Sequence, residues 1–308
     1  MIVYAPSYAG LVQALKITSW ENLTVFSNNA SIIEFCEFTK IKYTKIVTTK
    51  PTSRKELKEY KVYLKEYAAT ISGNDVLFCF YGFDILGLYF MYELKRKNKV
   101  FFHNKDHDFS KIATIDLFKR KKDFIDYLVY YYTLGISYSF YIINQKRVFF
   151  GLPPSILKKD FLSINIDIDN ELFETNKIHF SKLLEIPDNS VIFVDQGSIS
   201  INISDKTIEW LEITYKNRII FIKAHPNFPL SNSLLKKFKE IPSYIPLDLL
   251  INSKIELVGI YSTVLLDSVD TCKVTSILDL VEWKSMEEYE KYKTIVSKSK
   301  KIIIIKKQ

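Results

Sequence analysis

The chain of 308 residues is 47% hydrophobic and 25% charged, which is typical of soluble globular proteins and sufficient for two domains. Its formal net charge of +8 suits anionic ligands such as a nucleotide or an acidic glycan. No arginine-rich cluster or nucleic-acid-binding signature accompanies that charge, so we predict no nucleic acid partner. Three widely spaced cysteines match no metal spacing, and no signal peptide precedes the strand-like MIVYAP, so we predict a cytoplasmic protein.

Short apolar strands alternate with helical patterns along the first half of the chain. The predicted strands are IVYAP, LTVFS, KIVTT, DVLFCFYG and KVFFHN, and the helices between them are GLVQALKI, IIEFCEF, SRKELKEYKVYLKEYAATI and FDILGLYFMYELKRKN. This alternation is typical of βαβ units with a mainly parallel sheet. We therefore predict a Rossmann-like N-terminal domain over residues 1–155, which would face the acceptor substrate.

A tyrosine-rich segment, residues 127–143, resembles a membrane span because it carries no charge. Gly135 interrupts it, six tyrosines suit lipid tails poorly, and it is shorter than the roughly 20 residues that a span needs. We predict a buried helix followed by a core strand, so that any membrane contact is peripheral.

The second half of the chain resumes the alternation after residues 156–186, where we predict a passage between domains. Its predicted elements are SVIFVDQG, DKTIEWLEITYKN, RIIFIKAHP, SNSLLKKFKE, KIELVGIYS, TVLLDSV, KVTSIL, SMEEYEKYKTIVSKSKK and IIII. We place the C-terminal domain at residues 187–308. Two such domains in tandem predict an α/β, GT-B-like fold with two Rossmann-like domains and a cleft between them.

Three short polar motifs each follow a predicted strand in this second half. They are Asp195-Gln196-Gly197 after SVIFV, Lys223-Ala224-His225-Pro226 after RIIFI, and Tyr261-Ser262-Thr263 after KIELVGI. The carboxyl ends of parallel strands are where open α/β sheets bind ligands. An acid, a histidine with a lysine, and a hydroxyl pair predict acid/base chemistry on a phosphorylated substrate.

In the first motif, Asp195 and Gly197 are the residues suited to catalysis and ligand binding. Gly197 would let the backbone turn tightly and approach a ligand, while the Asp195 carboxylate would take a proton from an attacking hydroxyl. The alternative is an ordinary turn at a strand end, for which Asp and Gly are common choices.

His225 is the centre of the second motif. Pro226 favours an extended backbone at His225, and histidine titrates near neutrality, so His225 is suited to protonate or stabilise a departing phosphate. Lys223 lies two positions earlier on the same face of the strand and would add positive charge. The alternative is a turn histidine whose partners are backbone groups.

Ser262 and Thr263 form the third motif, in front of an apolar helix. A capped helix start offers hydroxyls and free amides to an anion. Simple N-capping without a ligand is the alternative.

Five residues at strand ends or starts of the first half are candidates for acceptor contacts: Ser7, Tyr8, Tyr81, His103 and Asn104. His103 and His107 stand four apart among acids, but the preceding strand favours a loop and no third ligand is identifiable. We therefore predict no metal site.

The order of the three motifs resembles that of bacterial sialyltransferases, which have a D/E-D/E-G motif, an HP motif and a later serine or threonine motif. Thirty positions separate Asp195 from His225, and thirty-seven separate His225 from Ser262. The segment IPSYIPLDLL, residues 241–250, is similar to the IPxxIPxE-type stretch of glycosyltransferase family 52, which includes lipooligosaccharide and capsule sialyltransferases. The resemblance covers roughly residues 190–270.

This resemblance implies inverting transfer of sialic acid from CMP-sialic acid to a sugar hydroxyl, such as that of a terminal galactose, without a metal or other cofactor. It implies that Asp195 is the general base and that His225 acts on the departing CMP phosphate. It further implies that Ser262 and Thr263 bind the phosphate, and to these we add Lys223, Pro226 and Gly197 as candidates for binding CMP or its phosphate. The sequence departs from the family pattern at Gln196, where a second acid is common, and at Asp248, where glutamate is usual.

Two other classes remain open from the sequence. One is another GT-B-like transferase with a CMP-Kdo or CDP-glycerol donor, and the other is a non-catalytic protein that binds a nucleotide or an acidic glycan. The oligomeric state is open as well. The basic C-terminal segment KSKKIIIIKKQ suits either peripheral contact with the inner face of a membrane or a last edge strand with solvated lysines, and we favour the strand.

Overall fold

A computed structural model describes residues 1–47, 51–79, 85–103, 114–116, 125, 129, 132–134, 141–144, 147–149, 162–163, 169–195, 201–224 and 232–306. The chain divides into two compact units, Met1–Phe173 (unit 1) and Glu174–Gln308 (unit 2). Each unit is built around its own parallel β-sheet, to which six described strands contribute.

The helices and strands of unit 1 alternate along the chain as the sequence predicts. They are β1 (Ile2–Tyr4), α1 (Tyr8–Leu15), a 3₁₀ turn (Trp20–Asn22), β2 (Thr24–Ser27), α2 (Ala30–Thr39), β3 (Lys42–Lys45), α3 (Arg54–Ala69), β4 (Asp75–Cys79), α4 (Ile85–Leu94), β5 (Lys99–His103), β6 (Thr114–Asp116), β7 (Tyr141–Asn144), β8 (Arg147–Phe149) and β9 (Leu162–Ser163).

The parallel sheet of unit 1 has the strand order β3-β2-β1-β4-β5-β9 among the described strands. Its central strand β1 is buried throughout, as expected where both faces of a parallel sheet are covered. One side of the core is an aromatic cluster in which the rings of Tyr4, Phe26, Phe78 and Phe90 contact one another. In the described part of the unit, β6, β8 and β7 form a separate antiparallel sheet.

Unit 2 follows the same plan, and helix α5 begins in the last residues of unit 1. Its elements are α5 (Asn170–Leu183), β10 (Val191–Val194), β11 (Ile201–Asn202), α6 (Asp205–Thr214), β12 (Ile220–Lys223), α7 (Asn232–Leu235), β13 (Lys239–Ile241), a 3₁₀ turn (Leu247–Leu249), β14 (Glu256–Gly259), α8 (Thr263–Asp267), β15 (Lys273–Ser276), β16 (Glu282–Trp283), α9 (Met286–Val296) and β17 (Ile303–Ile304).

The strand order of the described sheet in unit 2 is β13-β12-β10-β14-β15-β17. When only the strands of each parallel sheet are counted, both sheets run 3-2-1-4-5-6, which is the Rossmann order. The predicted α/β fold with two Rossmann-like domains is confirmed. The cleft between the domains and the domain limits 1–155, 156–186 and 187–308 stay predictions.

Several elements differ from the sequence predictions. Strand β3 begins earlier than the predicted KIVTT, and β9 and α5 lie within residues 156–186, which we predicted to be a passage between domains. In the tyrosine-rich segment, described residues are helical up to Leu134 and strand β7 follows, as predicted. The helical part is not buried all round, however, because Val129 and Tyr132 are exposed.

The C-terminal run of isoleucines forms the edge strand β17, which pairs with β15 and so agrees with the interpretation that we favour. Among the described residues, none of the helices combines the length and the apolar character needed to cross a membrane.

A buried carboxylate holds together the amino-terminal edge of the sheet in unit 2. Glu256, at the start of β14, is 1% exposed and accepts hydrogen bonds from the Tyr215 hydroxyl and the Thr275 hydroxyl. Arg218 and Lys273 form ion pairs with it. Burial alone would raise the pKa of Glu256, but these hydrogen bonds outweigh it and hold the pKa below its ordinary value.

Candidate functional site

The three motif-bearing strands of unit 2 lie side by side in the sheet. Strand β10, which leads to Asp195, pairs with β12 on one side and β14 on the other. The register sets Val194 opposite both Lys223 and Gly259, so the three strands end level with one another. The strand order reverses between β10 and β14, and this switch point is where open α/β sheets bind ligands.

Asp195 is the first residue after β10. Its backbone N–H donates a hydrogen bond to the Lys223 carbonyl over 2.9 Å, which extends the pairing of β10 and β12 by one residue. All four residues of β10 are buried, and Asp195 itself is only 6% exposed. The structure thus sets an acid at the middle strand of the predicted site, as the sequence analysis expects.

Lys223 is buried and already committed to backbone partners. Its Nζ donates hydrogen bonds to the carbonyls of Pro242, over 2.8 Å, and Ser243, over 2.9 Å. Burial lowers the pKa of Lys223 to about 8, although the nearby Glu240 opposes this shift. Two of the three N–H bonds of the ammonium group therefore fix the segment 241–250, and a phosphate-binding role for Lys223 stays a prediction.

The segment 241–250 is anchored to the core of unit 2. After β13 ends at Ile241, the Ile245 amide donates to the Pro242 carbonyl, and the chain then enters the 3₁₀ turn Leu247–Leu249. The isoleucine and leucine side chains of this stretch are buried, whereas Asp248 is exposed. The motif-like sequence thus forms an ordered loop that the Lys223 ammonium ties to β12.

Ser262 caps helix α8 at its N-terminus, as predicted. Its Oγ accepts a hydrogen bond from the Val264 amide over 3.3 Å, and its own O–H remains available as a donor. Thr263 is exposed at the first helical position. The hydroxyl pair therefore stands at the start of a helix beside the switch point, which leaves both N-capping and anion binding open to it.

Gly259 is a feature of the site that the sequence analysis missed. A Cβ atom at this position would lie 3.0 Å from Cδ1 of Leu265 and 3.3 Å from the carbonyl oxygen of Val194. Only glycine lets helix α8 pack this closely against the end of β14. The signal was the glycine inside the apolar run KIELVGI, because a strand glycine commonly marks a close approach.

An aromatic cluster next to the third motif also escaped the sequence analysis. The rings of Tyr261 and Tyr292 stack with their centroids 3.4 Å apart, and Trp283 stacks against both at 5.8 and 6.0 Å. The Trp283 indole N–H donates to the Leu278 carbonyl. These contacts join residues far apart in the sequence, and they brace the loop that carries Ser262.

The corresponding switch point of unit 1 lies between β1 and β4, and the predicted acceptor-side residues Ser7 and Tyr8 follow β1. Ser7 precedes α1 with an extended backbone and makes no side-chain capping hydrogen bond. Burial raises the pKa of the adjacent Tyr8 to about 12, against a lowering contribution from the hydrogen bond with Ser31. Both residues therefore stand where prediction put them, and their contact with an acceptor stays a prediction.

Several predicted site residues lie outside the described residues, namely His225, Pro226, Gln196, Gly197, Tyr81 and Asn104. The backbone of His103 ends β5 opposite Cys79, and its side chain is likewise outside the description. Within the described ranges, no three His, Cys, Asp or Glu side chains come together as metal ligands would.

Comparison with known proteins gives only distant structural likenesses. No protein-family model and no curated protein sequence matches the chain. Among solved structures, a UDP-GlcNAc 2-epimerase from Neisseria meningitidis is 11% identical with a TM-score of 0.44, and the match covers 100% of this chain and 87% of that one.

Two further structures are similar to the same degree. A UDP-GlcNAc 2-epimerase from Methanocaldococcus jannaschii is 13% identical with a TM-score of 0.43, and the match covers 99% of this chain and 88% of that one. A sialyltransferase from Photobacterium damsela is 12% identical with a TM-score of 0.40, and the match covers 99% of this chain and 81% of that one. Likenesses at this level carry no argument about the activity of this chain.

Proposed function

We propose that the protein is a sugar-nucleotide-dependent transferase, and specifically an inverting, metal-independent sialyltransferase. It moves sialic acid from CMP-sialic acid to a hydroxyl of a galactose-terminated bacterial surface glycan. One observation carries the proposal: the ends of β10, β12 and β14 are level neighbours at the switch point of unit 2, and Asp195 follows the middle strand. In the sequence, each of these three strands is followed by one of the three motifs that resemble those of sialyltransferases.

The chemistry requires a base for the acceptor and stabilisation of the departing phosphate. The bond between the anomeric carbon and the CMP phosphate oxygen breaks, and a bond from the acceptor oxygen to that carbon forms on the opposite face. Asp195 takes the proton of the acceptor hydroxyl. Its burial suits this role, because electrostatic interactions are stronger away from bulk water.

The departing CMP takes the negative charge with it. In this proposal His225 gives a proton to the phosphate, and the capped start of α8 with Ser262 and Thr263 binds it through hydroxyl and amide donors. Lys223 contributes by holding the segment 241–250 in place. General acid or base assistance of this kind is worth about 100- to 10,000-fold in rate.

The donor is tested directly by measuring release of the nucleotide from CMP-sialic acid in the presence of EDTA, with lactose as acceptor. We expect CMP release together with sialyllactose, and we expect no turnover of CMP-Kdo or CDP-glycerol. Release from one of those two donors instead would contradict the sialic acid assignment. Binding of CMP without release from any donor would contradict an enzymatic function.

Two single histidine variants, one in the proposed site and one outside it, test the site in the same assay. We expect His225→Ala to lower turnover about 100-fold or more, because the proton donor to the phosphate is lost. The matched control His179→Ala changes a half-buried histidine on α5, outside the proposed site, and should leave turnover near that of the wild type. Equal turnover of the two variants would remove His225 from the mechanism.

A further inference from the structure

Unit 1 carries a row of exposed apolar side chains that the sugar-transfer proposal does not use. Ile125, Val129 and Tyr132 are helical, and they are 50%, 40% and 82% exposed. In an α-helix, spacings of four and three residues put side chains on the same face. We call these three residues the apolar stripe. Leu134, by contrast, is buried in the core of the unit, so the helical segment is anchored while its stripe faces water.

Helix α3 lies beside the apolar stripe, and its charges are segregated. On a helical wheel, with 100° per residue, four basic residues fall within about 60° of one another: Arg54, Lys58, Lys61 and Lys65. Glu59 and Glu66 lie about 120° away round the helix, where Glu59 pairs with Lys55. We call the four basic residues the basic side of α3.

The basic side of α3 faces the helical segment that carries the stripe. The Lys61 ammonium donates a hydrogen bond over 3.0 Å to the carbonyl of Thr133, which directly follows Tyr132. Lys58 and Lys65 are exposed on the same side of α3, and Val62, which is 55% exposed, stands next to them on the helical wheel. One surface of unit 1 therefore combines an apolar row with adjacent cations.

More positive charge precedes the stripe in the chain. Lys119, Arg120, Lys121 and Lys122 precede Ile125 in the chain, although they lie outside the described residues. Lys122 is three positions from Ile125, so the covalent chain keeps their Cα atoms within about 11 Å of each other. Basic clusters beside an amphipathic helix are a recognised signature of binding to anionic lipids.

We propose that this surface of unit 1 binds the face of an anionic lipid bilayer. The apolar stripe enters the boundary between headgroups and acyl chains, and the basic side of α3 contacts the lipid phosphates. A second copy of the chain fits this surface poorly, because a symmetric dimer pairs the same patch with itself and would set lysine against lysine. The proposal is independent of the sugar transfer assigned to unit 2.

Flotation with lipid vesicles tests the proposal on the full-length protein. We expect binding to phosphatidylcholine vesicles that contain one third phosphatidylglycerol, little binding to pure phosphatidylcholine, and release at high salt. Lys58→Gln/Lys65→Gln should lower the partition coefficient about 30-fold, the effect expected of two lysines near an anionic surface. Val129→Glu/Tyr132→Glu should lower it about tenfold or more, because the inserted apolar groups are lost.

Matched variants in unit 2 control for general effects of charge and exposed apolar area. Lys206→Gln/Lys216→Gln removes the same charge from exposed positions on and after α6, and Ile213→Glu changes an apolar residue that is 65% exposed. Both should float like the wild type. If they lose binding as strongly as the unit 1 variants, the assigned surface is wrong.

Three other outcomes would overturn the proposal. They are equal flotation with neutral and anionic vesicles, wild-type flotation of both unit 1 variants, and a concentration-dependent dimer that Val129→Glu/Tyr132→Glu abolishes while no vesicle binding is seen. Circular dichroism verifies folding of each variant. Tyr132→Ser, at a position 82% exposed, replaces the double variant if that fails to fold, and it should still weaken flotation.

Discussion

The two units share one backbone plan and differ in the residues at its switch point. In unit 1 the first residue after the central strand is Ala5, whose amide donates over 2.9 Å to the carbonyl of Phe26. In unit 2 the equivalent residue is Asp195, whose amide donates over 2.9 Å to the carbonyl of Lys223. The same hydrogen bond thus ends both central strands.

The residues paired with the last residue of each central strand also differ between the units. Tyr4 of unit 1 lies opposite Phe26 and Phe78, whereas Val194 of unit 2 lies opposite Lys223 and Gly259. Aromatic rings therefore fill this edge in unit 1. In unit 2 a lysine and a glycine replace them. The strand order creates an edge suited to ligands, and the side chains at equivalent positions decide which unit is equipped for acid/base chemistry.

The largest stability difference between the units should come from Glu256. Its equivalent in unit 1 is Asp75, since Phe78 lies opposite Tyr4 just as Gly259 lies opposite Val194, and Asp75 is exposed whereas Glu256 is buried. Glu256→Val should lower the free energy of unfolding by about 3–5 kcal/mol, because it leaves the Arg218 guanidinium without its buried partner.

Urea unfolding followed by the fluorescence of tryptophan checks this effect. The control Glu212→Val removes an exposed partner of Lys237 and should cost less than about 1 kcal/mol. If Glu256→Val unfolds at the same urea concentration as Glu212→Val, the buried network contributes little to unit 2.

Lys223 should make the stability of unit 2 depend on alkaline pH. Its pKa is lowered to about 8 by burial, so between about 8 and its ordinary value of 10.5 the unfolded chain binds more protons than the folded one. The contribution of Lys223 to the free energy of unfolding therefore rises with pH across that window. Below pH 8 the lysine is charged in both states, and its burial is a fixed cost.

The measurement is the free energy of unfolding at pH 8 and pH 10 for the wild type and for Lys223→Met. We expect the wild type to gain about 1–2 kcal/mol relative to the variant over this interval. An identical pH dependence of the two proteins would show that the lysine is not desolvated.

Gly259 should tolerate no side chain. Gly259→Ala should destabilise the protein by about 1–3 kcal/mol, because the new Cβ meets Leu265 and the carbonyl of Val194. Gly259→Ala/Leu265→Val should recover part of the loss, since the shorter side chain relieves one of the two contacts. Urea unfolding of the single variants and the double variant measures this coupling, and simple additivity would contradict it.

The smallest predicted stability difference concerns the two serines that stand at helix N-cap positions. Ser262 accepts a hydrogen bond from the Val264 amide, whereas Ser7 makes no such side-chain bond. Ser262→Ala should therefore cost about 1 kcal/mol, and Ser7→Ala should stay within about 0.5 kcal/mol of the wild type. Thermal unfolding of both variants checks the comparison, and equal losses would contradict it.

Local patterns in the sequence were sufficient to predict the fold and to locate the strand ends. Buried parallel strands are apolar along their whole length, so segments such as VIFV and IFIK stand out, and polar residues that follow them mark the edge. Asp195 and Ser262 were identified on this basis. The two-residue strand β9 carries too little pattern to be predicted.

The remaining features depend on contacts between distant residues. The carbonyl partners of Lys223 belong to a later loop, so the sequence could not show that this lysine anchors the segment 241–250. Glu256 begins the otherwise apolar strand β14, and its four partners come from two other segments, residues 215–218 and strand β15. No local periodicity encodes either arrangement.

The central claim is that Asp195, on the middle strand of the unit 2 switch point, is the base for sugar transfer. Asp188→Asn is the matched control, because Asp188 lies before the amino end of the same strand and is exposed. The measurement is CMP release from CMP-sialic acid with lactose by Asp195→Asn and by this control. We predict a fall of about 100- to 10,000-fold for Asp195→Asn with CMP binding retained, and a rate within about twofold of the wild type for Asp188→Asn. Turnover of Asp195→Asn at the wild-type rate would contradict the account.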